Sequence, residues 1–124
     1  MRRRRVSQGG PGRPAALRRF LRGAVELHIL LHAAQGEVHG AWMSEELARH
    51  GHRISPGTLY PTLHRMEAEG LLRSRRDVVE GRTRRLYTAT PAGRRALEQA
   101  RHALRELADE VLSESSATGP RKGV

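Results

Sequence analysis

The sequence predicts a mainly α-helical fold with one small β-hairpin, and three observations carry that expectation. Apolar residues recur at helical spacing in four separate segments. Glycine, proline and hydroxyl residues punctuate the ends of those segments. One pair of short arms, rich in arginine and β-branched residues, flanks Glu80-Gly81.

The first helix opens at Pro14 and closes at Gly36, residue types suited to a start and a stop. Leu17, Phe20, Leu21, Ala24, Val25, His28 and Leu31 form its stripe, widened by Leu27, Ile29 and Leu30. A helix apolar on most sides is expected to pack on its own domain and also on a partner chain. The second helix lies between Gly40 and Gly51, with Met43 and Leu47 one turn apart. The third has Ser55 as its cap, Pro56 in the first position and Gly70 as its stop. Leu59, Leu63 and Met66 face inward, and Pro61 removes one backbone bond. The arms "LLRSRRDVV" and "RTRRLYTAT" then form a hairpin around a glycine able to turn left-handed. Thr90-Pro91 starts a last helix that runs to about Ser113.

Composition narrows the function. The chain has 124 residues, a natural size for one compact domain. It has no cysteine, which excludes disulfides and thiolate metal sites. No apolar run approaches the ~18 residues of a membrane span. No apolar signal segment follows the basic N-terminus before Leu17, so a cytoplasmic location is expected. Residues 1–14 and 115–124 read as a disordered basic arm and a disordered tail, leaving 15–90 as the domain and 91–114 as its last helix.

Net charge is +10, and its distribution matters more than its size. The arm carries five arginines and no acid, and residues 53–90 carry eight arginines against four acids. Charge concentrated there points to an anionic partner, against the alternative of a solvated basic face. On the third helix, Thr58, Pro61, Thr62 and Arg65 share a flank about a third of a turn from the buried side. Hydroxyls and one arginine at the start of a helix suit entry into the DNA major groove. On the hairpin, Arg73, Arg75, Arg76, Arg82, Arg84 and Arg85 suit a phosphate backbone, although an exposed edge strand also uses charge to resist aggregation. Helix, helix, recognition helix and wing is the order of a winged helix–turn–helix domain.

"ISPGTLYPTLHRMEAEGLL" followed by "GRTRRLYTATPAGRRAL" closely resembles the PadR family of transcriptional regulators, over about residues 20–113. The single helix after Gly93 resembles the compact branch of that family. The resemblance implies a homodimer that binds operator DNA as a repressor, released by a small molecule. It also implies that Ser55, Thr58 and Tyr60 sit at the DNA, Tyr60 through its hydroxyl on a phosphate. The second helix departs from the family: Ala41 replaces a tyrosine, and Trp42 stands where a polar residue is common.

Other constellations carry less. His28 and His32 are four apart, a spacing that could hold a metal, yet no carboxylate or cysteine falls at a matching position. They read as packed or capping histidines, and His50 and His52 as residues of a helix end or loop. No serine or carboxylate arrangement suggests catalysis, so neither an enzyme nor a cofactor is expected. Phe20 and Trp42 are the flat surfaces open to a small-molecule effector, though Trp42 also fits ordinary packing. Leu97, Ala100, Leu104, Leu107 and Val111 repeat at an average of 3.5 residues, the spacing of a two-helix dimer seam. The expected protein is therefore a DNA-binding repressor, dimeric on a roughly palindromic operator. The rival is a winged helix that serves as a protein-interaction module.

Overall fold

The computed structural model describes residues 13–116. Its elements run α1 (Ala15–Gln35), β1 (Val38–His39), α2 (Gly40–Arg49), α3 (Pro56–Ala68), β2 (Leu72–Val79), β3 (Arg82–Ala89) and α4 (Pro91–Ser116). The strands form one antiparallel sheet in the order β1-β3-β2. The basic arm and the tail expected at the two ends lie outside the described residues, apart from Arg13, Pro14 and the last residues of α4.

The core is built where the helices cross the base of the sheet. Ile29, Leu30 and Ala33 of α1 meet Met43 and Leu47 of α2, and Leu59, Leu63 and Met66 of α3. Leu72, Tyr87, Ala89 and Leu97 close the other side. Each of these larger side chains contributes about 1.5–3 kcal/mol by leaving water. The three inward residues of α3 are those its period predicts.

On α1 the expected stripe needs correcting. Val25, Ile29, Leu30 and Ala33 are buried, whereas Leu17 and Phe20 are exposed. From Val25 onward this 21-residue helix packs on α4, β3 and α2, whereas towards its start Leu17 and Phe20 stay open, Phe20 at the wall of a cleft between α1 and α4. Strand β1 was not expected. Two residues carry no periodic signal, and pairing of Val38 with Tyr87 and His39 with Leu86 makes them a strand.

Two junctions set the geometry of the site. Ser55 occupies the cap position of α3, but its hydroxyl lies against Thr58 Oγ1 at 3.4 Å and takes no backbone amide. The amides of Thr58 and Leu59 already donate to the Ser55 carbonyl, at 3.0 and 2.8 Å. Thr90 does cap its helix. Its hydroxyl accepts the Gly93 amide at 3.0 Å and donates to the Gly70 carbonyl, while the Thr90 amide donates to Leu71 at 3.1 Å. A side chain on Gly93 would overlap the Leu71 carbonyl, so only glycine allows α4 to start this close to the end of α3.

Candidate nucleic-acid interface

At about 100° per residue, α3 presents four distinct sides. Leu59, Leu63 and Met66 face the core. Glu67 faces the sheet, where its carboxylate accepts from the Ser74 hydroxyl at 2.9 Å. Thr58, Thr62 and Arg65 face α1, nine residues and therefore roughly 180° around from Glu67 in the case of Thr58. The outward stripe, opposite the core, consists of Gly57, Pro61, His64 and Ala68, all exposed.

Arg65 is not free. It donates to Glu26 of α1 at 2.5 Å and to Glu69 at 3.2 Å. These hydrogen bonds, Glu26 foremost, raise its pKa further above the ordinary arginine value. Thr62 donates to the Thr58 carbonyl at 2.8 Å. The Tyr60 ring lies over Gly40 at the start of α2, and a side chain on Gly40 would collide with it.

The hairpin splits its arginines between two faces. The register pairs Arg84 with Asp77 and Arg82 with Val79 on one face, and Arg76 with Arg85 on the other. Arg75 grips Glu37 through two hydrogen bonds of 2.5 and 2.7 Å, which pull the Glu37 carboxyl below its usual range. Arg85 donates to Ser74. Arg73, Arg76, Arg82 and Arg84 have no carboxylate partner among the described residues. Arginines at directly opposite backbone positions, as Arg76 and Arg85 are, place like charges on one face of the hairpin, which an anion would relieve.

The model of the Transcriptional regulator PadR-like family matches residues 29–99, more than half of the chain. The chain belongs to the PadR-like family of transcriptional regulators. It is 66% identical over 102 residues to Transcriptional regulator Rv3488 of Mycobacterium tuberculosis, covering 82% of this chain and 95% of that protein. Among solved structures, a PadR-like regulator from Bacillus cereus matches with TM-score 0.74 and 29% identity, over 81% of this chain and 99% of the other. A PadR family regulator from Eggerthella lenta matches with TM-score 0.70 and 28% identity, over 84% and 93%.

In this PadR-like regulator the expected seam residues do not share one environment. Leu97 is 6% exposed and belongs to the core of its own domain, a correction to the expected seam. Its position less than two turns into α4 keeps it against α1. Ala100 is half-buried, and Leu104, Leu107 and Val111 are exposed at 48%, 47% and 52%. Between α1 and α4 lies an apolar cleft of about 590 Å³, lined by Phe20, Ala24, Leu27, Leu31, Leu97 and Leu104 among others. Trp42 does not line it. Its ring stands edge-on to His32 at 5.3 Å, so the two expected effector platforms are not brought to one cleft.

Four histidines that stand as two separate pairs in the sequence form one cluster. The His28 ring lies 6.2 Å from His32, 5.2 Å from His50 and 5.0 Å from His52. Burial, then the neighbouring imidazoles, lower the His28 pKa. Glu46 accepts from His50 at 3.1 Å and from Arg49 at 3.0 Å. No group of three or more ligating side chains among the described residues is arranged to hold a metal ion. His64 and the arginines Arg18, Arg22 and Arg53 were not among the expected site residues. Their signal in the sequence is faint: the balanced charge of residues 15–52 hides the one-turn spacing of Arg18 and Arg22.

Proposed function

We propose that the protein is a repressor that binds double-stranded DNA as a homodimer, on a roughly palindromic operator. In this reading α3 enters the major groove and the β2–β3 hairpin lies on the phosphate backbone. One observation carries it: an outward α3 stripe without apolar bulk stands beside a hairpin whose Arg73, Arg76, Arg82 and Arg84 lack carboxylate partners. Such a surface gains by releasing condensed counterions from DNA. Family membership supports the same reading, as does the exposed row of Leu104, Leu107 and Val111, which suits a second chain.

Residue roles follow from position. Ser55, Thr58, Thr62 and His64 are the base or phosphate contacts of α3, and Tyr60 offers its hydroxyl at the start of α2, where open amides favour a phosphate. Arg82 and Arg84 bind the backbone. Arg65 braces α3 against α1 through Glu26 instead of reading bases. The α1–α4 cleft, with Phe20 at its wall, is the place for a small-molecule effector that releases the operator.

Capture of genomic fragments by the purified protein, followed by sequencing, identifies the operator. On that operator, Arg82→Ala and Arg84→Ala together should flatten the slope of log affinity against log salt by about 0.9 for each phosphate no longer neutralised. Wild-type affinity and slope in the double variant would remove the hairpin from the DNA. Failure to enrich any fragment would remove DNA binding itself.

A further inference from the structure

A second basic surface lies on the other flank of α3. A cleft of about 320 Å³ opens between the N-terminal half of α1, the α2–α3 connection and α3 itself. Arg13, Arg18, Arg22 and Arg53 line it together with Thr58 and Thr62, and no carboxylate does. The nearest acid along α1, Glu26, is already taken by Arg65. Arg22 and Arg53 have no ion-pair partner among the described residues. Four guanidinium groups around one concavity repel each other unless an anion sits among them.

The cleft is placed for a particular anion. Thr58 and Thr62 belong both to its wall and to α3. Thr58 is roughly 180° around the helix from Glu67, the residue that joins α3 to the hairpin. Arginines therefore flank α3 on two opposite sides, with the exposed stripe of Gly57, Pro61 and His64 between them. A DNA groove has the same plan: base edges at its floor and a phosphate strand along each border.

We propose that this cleft binds a backbone phosphate of the DNA strand bordering the major groove on the side away from the hairpin. Arg22 and Arg53 hold the phosphate oxygens, and the Thr58 hydroxyl adds a donor. This inference rests on the DNA-binding reading above.

Because phosphate contacts carry no base information, the test needs no known operator. Arg22→Gln/Arg53→Gln is compared with wild type and with Arg82→Gln/Arg84→Gln on a fluorescein-labelled random-sequence duplex, across a salt series. Circular dichroism establishes that each variant is folded. The cleft variant should bind about tenfold more weakly at low salt, with a slope flatter by about 0.9 for one phosphate left unneutralised. If the hairpin variant weakens while the cleft variant keeps wild-type affinity and slope, the cleft proposal is overturned and the DNA reading stands. If neither variant differs from wild type, the cleft proposal is overturned and the hairpin leaves the DNA as well; if wild type itself does not bind the duplex, the DNA reading falls with them. Inorganic pyrophosphate is the second probe. Saturable pyrophosphate binding that the cleft variant loses, with DNA affinity unchanged, would make the cleft a small-anion site and overturn the proposal.

Discussion

Gly93 shows how one absent methyl group positions two helices. A side chain there meets the Leu71 carbonyl, which is backbone and held in place by the Thr90 amide. Gly40 also lacks room, but what it meets is the Tyr60 ring, which can swing aside. Gly93→Ala should therefore cost about 1–3 kcal/mol in urea unfolding, the range for overpacking against a fixed wall, and Gly40→Ala less. Equal costs for the two would mean that the Leu71 carbonyl moves freely. In the sequence both are simply glycines at element ends, because a crowding atom contributed from elsewhere in the chain leaves no local mark. Arg65 is a similar case. Its exposed position is legible, but its partner Glu26 lies 39 residues away, beyond the reach of any helical period.

At the scale of elements, the hairpin turn is where local chemistry and conformation disagree. Glu80 and Gly81 both have positive φ, 52° and 75°, as a two-residue type I′ turn requires. Glycine takes that region freely, while glutamate is strained there. Glu80→Asn should raise stability by about 0.5–1 kcal/mol in thermal unfolding. A lower melting temperature would show that Glu80 makes a compensating interaction. The hairpin, the three inward residues of α3 and the Thr90-Pro91 start are all readable, since each is written within a few neighbouring residues. The buried face of α1 is not. Its apolar residues lie on several sides, so only the reach of α4, β3 and α2 decides which part is covered.

For the whole molecule, the exposed apolar row of Leu104, Leu107 and Val111 on α4 is the feature on which the proposed homodimer rests. Leu107 lies beyond both the core and the α1–α4 cleft, so a charge there leaves the domain's own packing intact. Leu107→Glu should give monomers in sedimentation and lose tight operator binding, since a dimer engages two half-sites about 34 Å apart and a monomer only one. A variant that sediments as a dimer would place the seam elsewhere. The same row is visible in the sequence by its spacing, but Leu97 falls into the same repeat. A regular repeat does not say where a helix leaves its own core and becomes available to another chain.

The joint at Thr90 and Gly93 gives α4 the mechanics of a lever with α3 bolted to its short end. Its 26 residues extend about 39 Å at 1.5 Å per residue. A tilt of about 5° about the far end would carry the α3 joint through roughly 3 Å, the length of a hydrogen bond. In the proposed dimer, angular slack at the far end of α4 would become linear error at the α3 joint, so stiffness along α4 would govern how well α3 is aimed.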